Sequence, residues 1–418
     1  MLDDAEFPRH RAHHREYLSD PSKFRQVIEI KDPATVQKIH YTFRLQYLKD
    51  VVLARLMEEP VFSVLNSLVY FNQVDIIQVL CANNEFIKEL FAVFLTEDDE
   101  RKRSAVAFIQ QFCQISKTLQ APARTNLYNK CADNGLYDVI EYALLHKDIR
   151  IRLAGADVVM IAIEHDPTVL RATIAKQLEE GKKPLLTTLY ESIHREQDLG
   201  LKLHFFECVR ILLDPSTLAP VDGANERASH MLAHIKYKPE DAVTSDKFVS
   251  TFYRHWAAEL CIPLIALNEE EKGEQLGNLA AADIAVYVHL LELMSGFVRL
   301  HGDRFRDFTE QFSLLEKASV LLWCKFKHIK LGTPLPLSGL ICTAALRFFR
   351  HCLGVTGDAY TNRMMKSGSF EPIIDILIES SARNSLLNSA VLEMLQYIYK
   401  VHDREGRLLN YRRGKSQS

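Results

Sequence analysis

Apolar residues recur at three- and four-residue spacing along almost all of the 418 residues, and strict alternation of apolar and polar residues is scarce. This spacing is typical of amphipathic helices rather than strands. In the stretch DPATVQKIHYTFRLQYLKDVV, Asp32 is placed to cap a helix and Pro33 to occupy its first position. One face of that helix carries apolar residues at Val36, Ile39, Phe43, Tyr47 and Val51. The chain is therefore predicted to be all-α.

A helix pair recurs along the sequence. Three first helices begin with a small or turn-forming residue and a bulky apolar residue, in NNEFIKELFAVF (83–94), NGLYDVIEYAL (134–144) and SGSFEPIIDIL (367–377). Each is followed by a polar turn and a second helix, in DDERKRSAVAFIQQF, HKDIRIRLAGADVVMI and ARNSLLNSAVLEMLQYI. Further second helices are expected within 63–71, 198–213 and 338–349. Paired helices at a period of roughly 40–50 residues are typical of HEAT and armadillo repeats.

The fold expected from this pattern is a right-handed α-solenoid of armadillo/HEAT-like helical repeats. Each repeat cannot bury its apolar face alone, so neighbouring repeats share one continuous core. The segment HKDIRIRLAGADVVMIAIEHDP (146–167) illustrates one such unit. Asp148 caps its helix, Arg152 emerges on one side, and Ala154 and Ala156 allow a neighbouring helix to approach closely.

The regular pattern is interrupted in places, which defines the predicted domain organisation. Residues 1–20 form a polar N-terminal arm, residues 21–405 the solenoid, and residues 406–418 a basic C-terminal tail. Within the solenoid, an insertion of about 214–247 is rich in proline and polar residues, and a loop of about 268–280 is acidic.

Composition excludes several classes of protein. The net charge of −3 gives no general attraction to nucleic acid or to a membrane. No apolar run reaches the roughly 18 residues that a membrane span needs, and the polar start MLDDAEFPRH does not resemble a secretion signal. None of the eight cysteines has the close spacing of a zinc site, so we expect reduced core thiols in a cytosolic or nuclear protein.

Chemistry-bearing motifs are not found. The phosphate-binding patterns G-x-x-x-x-G-K-[ST] and G-x-G-x-x-G and the nucleophile pattern G-x-S-x-G do not occur. HRAH (10–13) has no acidic or cysteine partner at ligand spacing, while EDDE (97–100) and EHD (164–166) fit the start and end of helices. We therefore expect no catalytic residue, no cofactor and no metal site, and hence no enzyme.

The surface of a solenoid is its functional element. Second helices of successive repeats line a groove, and their exposed polar residues project into it. The periodicity predicts the following partner-contacting residues: Arg101, Arg103, Arg152, Lys202, His204, Arg347, Arg350, Asn384 and Asn388. Gln110 is a further candidate on the same kind of helix. Asn66 and Asn388 could equally bond between repeats and fix their register.

Long stretches resemble the central domain of the SMEK family, regulatory subunit 3 of protein phosphatase 4, in a form similar to fungal homologues. The most specific is FEPIIDILIESSARNSLLNSAVLEMLQYI (370–398). Others lie at 24–53, 68–80, 105–120, 246–265 and 345–355, so the resemblance extends over about residues 7–405. The EVH1-like domain and the acidic tail of the family have no counterpart here, so we expect this chain to correspond to the helical core of a longer protein.

The resemblance implies a non-catalytic regulatory scaffold. Its expected partners are the phosphatase 4 catalytic subunit, regulatory subunit 2 and phosphoprotein substrates, including DNA-damage and cell-cycle targets. The expected location is the nucleus and the cytoplasm, with no direct binding of nucleic acid or membrane. The phosphatase chemistry would reside in the partner.

Two other classes of function stay open at this point. An armadillo-type adaptor for linear peptides would need a regular asparagine ladder, of which only Asn66 and Asn388 are a trace. An unrecognised hydrolase could use a His/Asp pair in the 214–247 insertion.

Overall fold

The computed structural model describes residues 13–20, 24, 26–53, 58–215, 239–268, 281–323, 337–355, 357–380 and 386–405. Within these ranges the regular structure is helical and contains no β-strand, which confirms the predicted all-α class of helical repeats. The chain divides into two compact units, with the boundary between Asp166 and Pro167.

The helices of the first unit are α1 His14–Ser19, α2 Pro33–Tyr47, α3 Glu59–Ala82, α4 Asn84–Ala92, α5 Asp99–Ser116, α6 Ala121–Asp133, α7 Leu136–Leu145 and α8 Ile149–His165. The π-helical turn Leu48–Val52 extends α2, and the 3-10 turn Val93–Leu95 follows α4.

The helices of the second unit are α9 Pro167–Glu179, α10 Leu185–Arg195, α11 Leu199–Leu213, α12 Pro239–His255, α13 Ala257–Leu260, α14 Ile262–Ile265, α15 Ala281–Leu300, α16 Asp303–Gln311, α17 Leu314–Val320, α18 Leu337–Leu353, α19 Ala359–Lys366, α20 Phe370–Ser380 and α21 Leu386–Glu405. A 3-10 turn, Leu321–Trp323, follows α17.

The predicted second helices pack in rows in each unit, and the row of the second unit also includes α15, which the internal sequence similarity had not identified. In the first unit α3 contacts α5, and α5 contacts α8. In the second unit α11 contacts α15, α15 contacts α18, and α18 contacts α21. These rows are the stacked repeats that the internal sequence similarity predicted.

Several helices begin at a side chain that accepts a backbone N–H. Such a cap satisfies a donor that the first helical turn leaves without an intrahelical partner. The capping residues are Asp32, Asn83, Asp98, Asp148 and Asp198. The predicted roles of Asp32, Pro33 and Asp148 are therefore confirmed.

The closest approach of α7 and α8 lies where small residues were expected. Ala154 and Ala156 are buried, but the tightest point is the glycine between them. A Cβ on Gly155 would lie 2.7 Å from the Cβ of Ala143, which is too close for two carbon atoms. The two helices can therefore pack at this distance only because residue 155 has no side chain.

The apolar stripe of α2 is not its most buried face. The most buried residues of α2 are Thr35, Thr42 and Leu45, whereas the predicted stripe of Val36, Ile39 and Phe43 is half-buried. These three apolar residues line a cavity instead of filling a closed core.

Two predicted irregular segments contain helices. Residues 14–19 of the polar arm form α1, whose Tyr17 ring stacks on Tyr47 at 4.9 Å. The end of the predicted 214–247 insertion belongs to α12, in which Ser245 is buried. The Ser245 hydroxyl accepts a hydrogen bond from the fully buried Arg171 at 3.1 Å. The rest of that insertion after residue 215, residues 269–280 of the predicted loop, the tail 406–418 and the first twelve residues of the arm lie outside the described ranges.

Two helices contain apolar windows of the length of a membrane span, which the search for uninterrupted apolar runs had not identified. In the described ranges, α3 and α15 contain 18-residue windows with mean hydropathy of 1.3 and 1.4, which would suffice to cross a membrane. In the window of α15, 61% of the residues are buried in the protein, as expected of a core helix. In the window of α3, only 17% are buried.

Candidate partner-binding surface

Charged residues at the start of α5 form a network with the neighbouring repeat. Arg101 is exposed, and its Nε donates to the carbonyl of Val27 at 3.4 Å. The Nε of Arg103 lies 3.3 Å from the carboxylate of Asp99. The hydroxyl of Tyr142, on α7, donates to Asp99 at 2.6 Å. This hydrogen bond holds the pKa of Asp99 below its ordinary value. Arg101 is therefore the more accessible of the two predicted arginines here.

Arg152 serves the fold rather than an open groove. Its guanidinium donates to the carbonyls of His146 and Lys147 at 3.1 and 2.9 Å. These carbonyls lie just past the end of α7, where backbone acceptors have no intrahelical donor. Arg152 thus fixes the turn between α7 and α8.

Lys202 is not exposed, contrary to the predicted projection of its side chain into a groove. Its side chain is fully buried in α11, and its ammonium donates to the carbonyl of Ile193, near the end of α10, at 2.8 Å. Burial lowers the pKa of Lys202, and the carboxylates of Asp283 and Glu196 oppose that shift. The lysine satisfies a helix end inside the core. His204, two residues further on, is half-buried.

Arg347 and Arg350 lie on α18. Arg347 is exposed. Arg350 is half-buried, with its guanidinium 3.1 Å from the carboxylate of Glu393 and 5.5 Å from the centre of the Tyr397 ring. Both contacts join α18 to α21. Arg347 is therefore the residue of this pair that is open to a partner.

Of the two asparagines predicted in the last repeat, only Asn388 lies within the described residues. Asn388 is half-buried near the start of α21. Asn384 lies outside the described residues.

Polar pairs between α5 and α8 repeat at a fixed sequence separation. The amide of Gln110 donates to Asp157 at 2.5 Å, and the ammonium of Lys117 lies 2.9 Å from the carboxylate of Glu164. Both pairs are separated by 47 residues. Gln110 was a groove candidate, but its amide is engaged between repeats. The pairs set the register of two neighbouring second helices.

A cavity of about 210 Å³ lies in the first unit among α2, α4, α5 and the extended segment that precedes α2. Its walls are mostly apolar, and its polar side chains are Gln26 and His40. The carbonyl oxygen of the Gln26 side chain accepts from the backbone N–H of Ile30 at 2.9 Å, which holds the segment in place. The cavity can accept an apolar side chain. The sequence analysis missed it because its walls come from four separate segments.

The acidic and histidine motifs have structural roles. Asp98 caps α5, and Asp99 and Glu100 follow in its first turn. His165 is buried, accepts from Arg124 at 3.0 Å and lies 3.2 Å from the hydroxyl of Thr125. Its pKa is lowered, mainly by burial and also by Arg124. Among the described residues, no group of three or more His, Cys, Asp or Glu is arranged to hold a metal ion.

The cysteines in the described ranges are not joined in disulfides. Cys81 is half-buried and the other six are buried. Burial raises the pKa of Cys81 to about 11 and that of Cys113 to about 12. Thiols of this kind are protonated near neutral pH and pack as small apolar groups.

The two units consist of stacked helix pairs, and several polar pairs, such as Lys117 with Glu164 and Arg350 with Glu393, connect neighbouring second helices. The sequence profile of the family "Phosphatase 4 regulatory subunit 3" matches residues 3–413. The chain belongs to this family.

The chain is also similar to two curated proteins. The chain is 33% identical over 408 residues to an uncharacterized protein of Schizosaccharomyces pombe, covering 94% of this chain and 46% of the relative. It is 27% identical over 400 residues to "Suppressor of Mek1" of Dictyostelium discoideum, covering 94% of this chain and 36% of that protein. The chain thus spans less than half the length of each of these relatives.

Proposed function

We propose that this chain is a scaffold of the phosphatase 4 complex, which binds the catalytic subunit and regulatory subunit 2 and positions phosphoprotein substrates. The observation that carries the proposal is the family match over residues 3–413, which includes every described helical repeat. A regulatory subunit acts by contact, and stacked repeats provide an extended surface for contacts. The bond-breaking chemistry belongs in this scheme to the catalytic subunit.

The proposed contact surface in the second unit is the exposed side of α18 around Arg347. An exposed arginine is well suited to a protein interface because its guanidinium forms directed hydrogen bonds with carboxylates and backbone carbonyls. Arg350 supports this side of α18 through its contacts with Glu393 and Tyr397. We further propose that the complex acts in both the nucleus and the cytoplasm.

The test is a binding assay with purified catalytic subunit and regulatory subunit 2. The wild-type chain should retain both proteins, and Arg347→Glu should reduce retention about tenfold or more because the charge at the interface is inverted. Arg299→Glu is the matched control, since Arg299 is also an exposed arginine of the second unit. Far-UV circular dichroism should be the same for all three proteins.

The possible results separate two claims. Failure of the wild-type chain to retain either protein contradicts the scaffold proposal. Retention unchanged by Arg347→Glu leaves the scaffold in place and excludes this part of α18. The double change Arg347→Glu and Arg350→Glu tests the wider surface, but it also sets a glutamate against Glu393, so its melting temperature must be measured.

A further inference from the structure

The cavity of the first unit has a size that suits one large side chain. Its volume is about 210 Å³. Pockets that enclose a drug-sized ligand usually have about 300–1,000 Å³, whereas a cavity of about 150 Å³ in a protein core can hold a benzene molecule. The cavity therefore has room for a single aromatic ring on a short stem, as in a phenylalanine side chain.

Aromatic rings form much of the cavity wall. They come from α2, α4, α5 and the segment before α2, and they belong to Phe24, His40, Phe43, Phe86 and Phe108. Phe24 and Phe43 meet edge to face with their ring centres 5.3 Å apart, and Phe86 and Phe108 do so at 5.9 Å. A ring that enters the cavity can make further contacts of this kind, which are more favourable than apolar contact alone. These walls therefore favour an aromatic anchor.

On α2, an exposed arginine lies beside the cavity. His40 lines the cavity, and Arg44 follows it by four residues, so the two lie on the same face of the helix. The guanidinium carbon of Arg44 is 5.8 Å from the centre of the Phe24 ring, which is part of the cavity wall. In the part of the chain that the structure describes, no carboxylate pairs with Arg44. Its charge is therefore open to a ligand that enters the cavity.

On α5, a second exposed arginine lies near the cavity. Arg101 precedes Phe108 by seven residues, which places both on one face of α5, about 10 Å apart along its axis. The Nε of Arg101 donates to the carbonyl of Val27, a residue of the cavity wall, at 3.4 Å. This bond uses one of the five N–H groups of the guanidinium. Within the described ranges, Arg101 has no carboxylate partner either.

The acidic residues of this region do not belong to the cavity wall. Glu29, Asp32 and Glu89 line a neighbouring pocket, which shares Ile30 with the cavity. Asp32 caps α2, and the carboxylate of Glu89 lies 3.4 Å from the ammonium of Lys31. The charges that a ligand in the cavity meets on α2 and α5 are therefore the two arginines, which attract carboxylates.

The positions of the two arginines favour a peptide segment over a small molecule. Arg44 lies beside Phe24 and Arg101 beside Val27, so the two charges border different parts of the wall. A ring that fills the cavity leaves no room for carboxylates inside it, so they must lie outside at separate positions. Residues of an extended peptide are about 3.3 Å apart. Carboxylates within three positions of the anchor therefore span about 3–10 Å, which matches the displacement of Arg101 from Phe108.

We propose that the cavity binds a peptide segment of another protein that carries one aromatic residue with acidic residues within three positions of it. The aromatic side chain enters the cavity, and the neighbouring carboxylates pair with Arg44 and Arg101. The proposal concerns the first unit alone and does not depend on the contacts proposed for Arg347.

The test uses a fluorescein-labelled peptide with a central phenylalanine, two acidic residues on each side and Gly-Ser ends. Fluorescence anisotropy with the whole chain should show saturable binding that weakens as salt is added, because salt screens the exposed charges. A peptide with alanine in place of phenylalanine should bind at least about tenfold more weakly, because the cavity stays empty. A peptide with lysine in place of the acidic residues should also bind at least about tenfold more weakly.

Variants of the protein test the location of binding. Val36→Phe places a ring in the cavity from its own wall and should weaken binding at least about tenfold. Its melting temperature should not fall, because the ring occupies existing space. Arg44→Glu and Arg101→Glu should each weaken binding about fivefold or more. The matched control is Lys88→Glu, because Lys88 is exposed on α4, two residues from each α4 residue that lines the cavity, and hence on the other side of that helix.

Five results would overturn the proposal. They are no saturable binding of the acidic peptide, equal binding of the alanine peptide, equal binding to Val36→Phe and the wild type, equal loss in Lys88→Glu and in the two arginine variants, and displacement of the labelled peptide by 4-phenylbutyrate as readily as by unlabelled peptide. The last result would assign the cavity to small aromatic acids. If Val36→Phe lowers the melting temperature, Arg44→Glu and Arg101→Glu decide the location, because they change exposed side chains.

Discussion

Helices α3 and α15 have nearly the same apolar character and very different surroundings. Their most apolar windows have mean hydropathy of 1.3 and 1.4, but 17% of the residues are buried in one and 61% in the other. Within the second unit, α15 contacts both α11 and α18. Within the first unit, α3 packs on α2, α4 and α5, but residues such as Val64 and Phe71 remain exposed.

This difference shows that position in the row decides how much of a second helix is buried. The apolar content of a helix sets how much surface it can bury, whereas its neighbours set how much it does bury. Each neighbour covers one face, so a helix with a neighbour on both sides is an interior element. A helix of similar apolar content with one face uncovered keeps part of its apolar surface exposed.

The largest difference we expect is between truncations of a leucine in α15 and of a leucine in α3. Leu290, in α15, is 1% exposed, and Leu290→Ala should lower the free energy of unfolding by about 2–5 kcal/mol, because lost burial and a cavity add together. Leu68→Ala, at a position of α3 that is 41% exposed, should change the free energy of unfolding by no more than about 0.5 kcal/mol. Urea unfolding followed by circular dichroism measures both values.

Equal effects of the two substitutions would contradict the comparison. A large loss of stability for Leu68→Ala in the isolated chain would mean that Leu68 is already covered in solution. In that case the loss should depend on protein concentration if a second copy covers it.

Much of the repeat architecture was predictable from sequence because its causes are local. The caps Asp32 and Asp148, the helix pairs around residues 83–116 and 134–165, and the small residues at 154 and 156 all act within a few residues of their own position. The 47-residue separation of Gln110 and Asp157 agrees with the repeat length inferred from internal similarity. Patterns of this kind require only that neighbouring helices share a core.

The candidate surface was less predictable because burial depends on neighbours that are distant in sequence. Lys202 occupies a position that looks polar and exposed in a helical pattern, yet the carbonyl of Ile193 requires a donor there and the lysine is buried. Arg152 is likewise turned to the carbonyls past the end of α7. Helical periodicity identifies a face, but it does not identify which other element covers that face.

A smaller effect on stability is expected from replacing a glycine by alanine in α15 and in α8. The comparison distinguishes a glycine required by close helix packing from one that is not. Gly296, in α15, has nothing within 4 Å of the position of a Cβ. Gly296→Ala should therefore raise the free energy of unfolding by about 0.5–1 kcal/mol through helix propensity. At Gly155 a Cβ would lie 2.7 Å from that of Ala143. Overpacking costs about 1–3 kcal/mol, which exceeds the propensity gain, so Gly155→Ala should lower stability.

The melting temperatures of the two glycine variants test this prediction. Gly296→Ala should raise the melting temperature and Gly155→Ala should lower it. Two increases would show that α7 and α8 separate without cost. Two decreases would show that α15 has less space beside Gly296 than the structure gives it.

The smallest effect we expect is a dependence of stability on pH that comes from the protonation of His301, at the end of α15. His301 is buried, its Nε2 donates to the carbonyl of Leu213 at 2.8 Å, and its Nδ1 accepts from the hydroxyl of Tyr253 at 2.6 Å. Burial lowers the pKa of His301 in the folded protein. The unfolded chain therefore takes up the proton first, near the ordinary histidine value of about 6.5. The stability that the neutral ring contributes is complete above that pH and is lost progressively as the pH falls below it.

The melting temperature should therefore decrease between about pH 7.5 and pH 5, and this decrease should be smaller in His301→Gln. Burial lowers the pKa of His165 and His194 as well, so part of the decrease should remain in the variant. His289→Gln, a change in the same helix at a residue that pairs with Glu292, is the control and should keep more of the wild-type decrease. An unchanged pH dependence in His301→Gln would mean that the ring can accept a proton in place. In that case the packing of α15 would depend on its apolar neighbours, and the hydrogen bonds of His301 at its end would contribute little to stability.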